Sequence, residues 1–70
     1  MMDIPIRDEV IRLGQFLKLA NLIDSGSEAK AVIADGSVQV NGEVETRRGR
    51  QLRVDDVVTV GGQSARVIAE

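Results

Sequence analysis

Apolar residues repeat with one period before Gly36 and with another after it. Leu13, Phe16, Leu17 and Ala20 fall at i, i+3, i+4 and i+7, the spacing of one helical face, with Gln15 and Lys18 outside that stripe. Asn21 ends this helix of about two turns, because asparagine tolerates the left-handed C-terminal position. A second helix follows a tight linker at Leu22 to Asp24. Ser25 and Glu28 have the spacing of a capping box, in which each side chain bonds a free N–H of the first turn. Ala29, Val32 and Ile33 form the apolar face, and Gly36 stops the helix where a left-handed residue is wanted.

Beyond Gly36 the period is two. Val38, Val40 and Val44 are apolar, whereas Gln39, Glu43 and Glu45 are polar. Asn41-Gly42 marks a hairpin turn. A two-residue turn pairs Val40 with Glu43. A three-residue loop, Asn41 to Glu43, pairs Val40 with Val44 and keeps one face apolar, so it is the expected register. The stretch Thr46-Arg47-Arg48-Gly49-Arg50-Gln51-Leu52-Arg53 comes next, with a bend at Gly49. Leu52 and Val54 alternate with Arg53 and are expected to anchor its end to the core. Asp55-Asp56 reads as a turn, Val57 to Val60 as a strand. Gly61-Gly62 then makes a two-residue hairpin into Ser64 through Ile68, with Val58 facing Ala65. At the other end, Pro5 confines residues 1 to 8 to an edge strand or an arm. Glu9-Val10-Ile11-Arg12 fits either a short strand or a helix start. Two short helices followed by four short strands predict an α+β fold, with the helices packed on a small antiparallel sheet. Residues 1–70 read as a single domain without repeats or linkers.

Size and composition narrow the chemistry. A chain of 70 residues buries only about 60% of its unfolded surface, which leaves little room for a deep catalytic pocket. There is no cysteine, so disulfides and thiolate metal sites are excluded, and no histidine, the commonest general base. No catalytic residue, metal or cofactor is expected. No apolar run approaches the roughly 20 residues of a membrane span. The start, Met1-Met2-Asp3-Ile4-Pro5, lacks the regions of a signal peptide, so a cytoplasmic protein without a membrane partner is expected. Phe16 is the sole aromatic residue and lies in the apolar stripe. Nucleic acid would therefore be held through phosphates and shape rather than by bases stacked on rings.

Charge is where the sequence becomes specific. The net charge is −2, yet four arginines, Arg47, Arg48, Arg50 and Arg53, fall within seven residues. Arginine's planar fork suits phosphate better than lysine's point charge does. Gln51 adds a neutral donor to the same stretch. The competing arrangement is a solvated loop that pairs with Glu43, Glu45, Asp55 and Asp56, all close in sequence. Lys18 and Lys30 are helix lysines, which on composition alone serve solubility.

The ordered set Arg12-Leu13, Phe16-Leu17, Ser25, Ser27, Ala29-Lys30, Ile33, Gly36, Val38 and Val40-Asn41-Gly42 resembles the alpha-L RNA-binding motif. This is the domain of ribosomal protein S-four, shared with pseudouridine synthases and tyrosyl-tRNA synthetases. Val54-Asp55-Asp56-Val57 resembles its closing turn. The chain looks most like the small stand-alone YbcJ-type group within that family. The match covers about residues 12 to 60. The resemblance implies binding of structured RNA, ribosomal or transfer, by a helix–turn–helix surface beside a sheet edge. By position it points to Ser25, Ser27 and Lys30 at the start of the second helix, where free N–H groups and the helix dipole attract phosphate. The chain departs from the pattern at Asp24 and Gly26, where many members are basic, at Gly14, where aspartate is usual, and at Asp55, where glycine is usual. An arginine stretch folded back beside the second helix would make good the missing cations.

The expected RNA contacts are therefore Lys18, Ser25, Ser27, Lys30, Arg47, Arg48, Arg50, Gln51 and Arg53, on a monomer that binds RNA rather than DNA. A protein-interaction module with the same fold is the alternative, since fold does not fix function. An enzyme is disfavoured, because the sequence offers no nucleophile–base pair and no phosphate-binding loop.

Overall fold

The period-two half of the chain builds most of a five-stranded sheet, and the helical half covers one of its faces. The computed structural model describes residues 1–70. In chain order the elements are β1 (Met2–Ile6), β2 (Val10–Arg12), α1 (Leu13–Leu19), α2 (Gly26–Ala34), β3 (Val38–Val40), β4 (Glu43–Val44), β5 (Gln51–Arg53), β6 (Val57–Val60) and β7 (Gln63–Ala69). The large sheet has the order β1-β7-β6-β3-β4, and β2 and β5 form a separate two-stranded ribbon. No helix is long and apolar enough to cross a membrane.

The α+β class holds, but the sheet is mixed rather than antiparallel. β1 runs parallel to β7, with Met2 opposite Ala65 and Ile6 opposite Ala69. Pro5 is compatible with this place because an edge strand leaves one row of N–H groups unpaired. The segment Glu9–Arg12 resolves into strand β2, which pairs antiparallel with β5.

Both helices end as their sequences direct. The Glu28 N–H donates to Ser25 Oγ at 3.2 Å. Glu28 Oε1 in turn accepts from the Asp24 N–H at 2.8 Å, one residue earlier than in a standard capping box. Asn21 and Gly36 leave the helices at φ 59° and 84°. Leu13, Phe16, Leu17 and Ala20 of the first helical stripe pack with Ala29 and Ile33 against Val38, Val40, Leu52, Val58, Ala65 and Val67.

The first hairpin differs from expectation. Val40 lies opposite Glu43, and Gln39 opposite Val44, so the connection has two residues and not three. Asn41 and Gly42 both adopt positive φ, 53° and 85°, the geometry of the type I′ turn that matches strand twist. Turn geometry outweighs face matching because β4 is a two-residue edge strand. Val44 stays exposed, its Cγ1 lying against Gly36. Asn41 also fastens the hairpin to the next strand: its Oδ1 accepts the Val57 N–H at 2.9 Å, and its Nδ2 donates to Asp56 Oδ1 at 3.0 Å. The Gly61-Gly62 hairpin has the expected register, with Val58 opposite Ala65.

Candidate functional site

The arginine stretch folds back onto the start of α1. Helix α1 has no side-chain cap. Its first N–H groups are satisfied by the arginine loop instead: Leu13 donates to the Arg50 carbonyl at 2.8 Å, and Gly14 to the Arg48 carbonyl at 3.1 Å. The Arg50 N–H donates to the Arg47 carbonyl at 3.2 Å, which closes a turn with Arg48 and Gly49 at its tip. Beyond the turn, Leu52 is fully buried and anchors β5, while Val54 is exposed. One of the two expected anchors is therefore real.

The loop is held from beneath by Glu45, the only buried charged residue. Its carboxylate accepts four hydrogen bonds. The Arg47 N–H and Nε reach Oε2 at 3.0 and 3.1 Å, while Arg47 Nη2 and Arg50 Nη1 reach Oε1 at 3.1 and 2.9 Å. These bonds, those of Arg47 first, hold the Glu45 carboxyl well below the usual carboxylate range, against the opposing effect of burial. The same pairing raises the Arg47 guanidinium. Of the four acids near the stretch in sequence, Glu45 alone takes an arginine; Glu43, Asp55 and Asp56 form no ion pair with it.

A pH dependence follows. The folded Glu45 carboxyl stays ionised below the ordinary value of 4.5, so the native chain binds fewer protons than the unfolded chain there. The stability from this cluster is complete above about pH 4.5 and drains away as the pH falls towards the folded pKa. Thermal melts of wild type and Glu45→Gln are expected to differ most near neutrality and to converge in acid. A constant difference down to the lowest measurable pH would contradict this account.

Arg47 and Arg50 are thus occupied, and so are Arg7 with Glu70 and Arg66 with Asp3. Nine cations less these four leave five without an ion pair: Arg12, Lys18, Lys30, Arg48 and Arg53. Three of the five, Arg12, Lys18 and Arg48, line one open cleft of about 320 Å³ with Gly14, Gln15, Gly26, Ala29 and Gly49. No acid lines it. Its walls are α1, the first turn of α2 and the tip of the arginine loop. Glycine at position 14 leaves room for the Arg48 side chain, for a Cβ there would stand 2.8 Å from Arg48 Cγ.

The ribbon extends this basic surface. Arg12 lies opposite Gln51, and Val10 opposite Arg53. Opposed residues share a face, so Arg12, Gln51 and Arg53 point outward together while Leu52 points into the core. On α2, Ser25 serves as the cap and lies outside the cleft lining. Ser27 and Lys30 are exposed and also lie outside it. Lys30 is one turn from Gly26 along α2, while Ser27 sits about 100° around the helix from Gly26. Arg12, Gly14, Gln15 and Gly49 line the cleft although none is among the expected contacts. A usable signal existed for Gly14: glycine at a helix start has poor propensity and asks for a packing reason.

A family model described as S4 domain matches residues 4–68. The chain belongs to the S4 domain family. Two relatives match most of this S4 domain. It is 52% identical over 59 residues to "Probable ribosome maturation protein RlbA" of Bacillus subtilis, spanning 84% of this chain and 83% of that one. It is 39% identical over 59 residues to "Putative RNA-binding protein YbcJ" of Escherichia coli, spanning 84% of each. The solution structure of YbcJ, described as revealing an alpha-L motif involved in RNA binding, superposes with a TM-score of 0.67. The two are 35% identical, with 97% of this chain and 85% of that one covered. The 30S ribosomal protein S4e of Thermoplasma acidophilum contains the same fold as a part. Its TM-score is 0.66 at 26% identity, over 86% of this chain and 32% of that chain. The S4 domain described here therefore has the alpha-L architecture, with the arginine loop as its wall beside α1.

Proposed function

We propose that this domain is a monomeric binding module for structured RNA, ribosomal RNA foremost, which it grips by phosphate oxygens at the cleft between α1, α2 and the arginine loop. The observation that carries the reading is the clustering of Arg12, Lys18 and Arg48 around one acid-free cleft in a chain of net charge −2. Guanidinium groups bind phosphate through two parallel hydrogen bonds, and Lys18 adds a mobile point charge. The start of α2, at Gly26, lines the same space, and a helix N-terminus favours an anion. Gln51 and Arg53 carry the contact surface along the ribbon, and Lys30 along α2. The relatives' names, ribosome maturation and RNA binding, support the same ligand class. The lack of exposed aromatic rings fits recognition of helical RNA by shape and backbone.

Binding to a ribosomal RNA hairpin, with unfractionated transfer RNA alongside, tests the reading across a salt series. Three neutralised phosphates predict that log affinity falls by about 2 to 3 units per log unit of salt. A slope near zero, or no binding at low salt, would sink the RNA reading.

A further inference from the structure

The three arginines of the loop, Arg47, Arg48 and Arg50, are chemically alike but structurally unlike. Arg47 and Arg50 both end on the buried Glu45, and their side chains close the loop from beneath. Arg48, at the tip, forms no ion pair and enters the cleft lining across Gly14. The loop's carbonyls at Arg48 and Arg50 meanwhile replace the missing N-cap of α1. Glu45 is itself fixed in place, for its N–H donates to the Val38 carbonyl at 3.0 Å at the start of β3. One carboxylate thus connects the large sheet, the loop and the first turn of α1.

We infer that Glu45 is a positioning residue for anion binding: by clamping Arg47 and Arg50 it fixes the turn that delivers Arg48 to Arg12 and Lys18. The inference rests on the proposed phosphate grip. It divides the arginine stretch into Arg47 and Arg50, which shape the loop, and Arg48, which meets the ligand, with Arg53 set apart on β5. It also reverses the naive electrostatic expectation. Glu45 is a negative charge beside a basic cleft, and two arginines are taken up by it. If charge alone mattered, removing it would strengthen binding to a polyanion. If position matters, removing it weakens binding, because Arg48 is no longer held where the phosphate sits.

The experiment measures affinity for the ribosomal RNA hairpin in Glu45→Gln, Arg48→Gln and the double variant. Glu45→Gln is expected to bind about tenfold more weakly, the scale of one charge-assisted hydrogen bond. The double variant is expected to bind no worse than Arg48→Gln alone, the non-additivity of two residues acting through one contact. Equal or tighter binding by Glu45→Gln overturns the inference. Arg47→Lys with Arg50→Lys keeps every charge and loses the forked bonds, so it is expected to bind more weakly as well. Unchanged affinity there also overturns the inference, and this variant serves if Glu45→Gln does not fold.

Amide exchange in the free protein separates the two proposals. Protection at the Leu13 and Gly14 N–H groups is expected to drop about tenfold in the lysine variant while the sheet interior keeps its protection. Unchanged protection at these two sites refutes the clamp whatever the RNA result. Failure of the wild type to bind RNA refutes the phosphate grip and leaves the clamp to be decided by exchange.

Discussion

Replacing Arg12, Lys18 and Arg48 together with glutamine is expected to lower affinity for structured RNA about a thousandfold at low salt. Each side chain lines the cleft, and none is engaged in an ion pair. Each substitution deprives a phosphate of one charge-assisted hydrogen bond, which corresponds to about tenfold or more. The salt slope is expected to shrink by about 2 to 3 units, because as many counterions are no longer released. The fold should persist, since both arginines and the lysine are exposed. A control keeps net charge from explaining the result. Arg7→Gln with Arg66→Gln removes two cations that are paired with Glu70 and Asp3 and do not line the cleft. That variant is expected to lose only about twofold to threefold, the scale of weakened long-range steering. Were it to lose as much as the triple variant, diffuse charge rather than the cleft would be holding the RNA.

Leu52→Ala is expected to lower stability sharply. Leu52 is fully buried and is the inward-facing residue of β5, directly behind the arginine turn. A buried leucine cut to alanine costs about 3 kcal/mol through lost transfer energy and the cavity left behind. A domain of this size has about 5 kcal/mol in total, so more than half of its margin disappears. The melting temperature is expected to fall by about 15 °C. Val54, the next apolar residue in the alternation, makes the contrast. It is 42% exposed, and Val54→Ala is expected to change stability by less than about 0.5 kcal/mol. Comparable losses from both substitutions would mean that the ribbon does not anchor to the core through Leu52. Leu52→Ala is also expected to weaken RNA binding before it unfolds the chain, since Leu52 fastens the strand that follows Arg48 and Arg50.

These two predictions concern close neighbours in sequence, Arg48 and Leu52, that do different things. Nothing local tells Arg48 from Arg47 or Arg50. Each is an exposed-type residue in a polar loop beside several acids. The distinction arises because Glu45 is buried just beyond β4, where its charge requires partners, while Glu43, Asp55 and Asp56 keep water available. A buried carboxylate with satisfied hydrogen bonds holds arginines that more exposed carboxylates do not.

What the sequence determined is whatever depends on neighbours within a few residues. Helix stripes, the Ser25–Glu28 cap, the stops at Asn21 and Gly36 and the Gly61-Gly62 turn are local hydrogen-bonding and steric choices, and each stands where its residues place it. So does most of the core, because the period of apolar positions fixes which face turns inward. The hairpin at Asn41-Gly42 marks the limit. There two local rules conflicted, and the left-handed geometry of the turn prevailed over face matching on a two-residue edge strand. Only the tertiary structure decided the long-range pairings: β1 parallel to β7, β2 against β5, and the arginine loop as cap of α1. Those pairings put Arg12 beside Gln51 and Arg48 across Gly14, residues far apart in sequence. The candidate site consists of such meetings, and chain closure over many residues leaves no local trace of them.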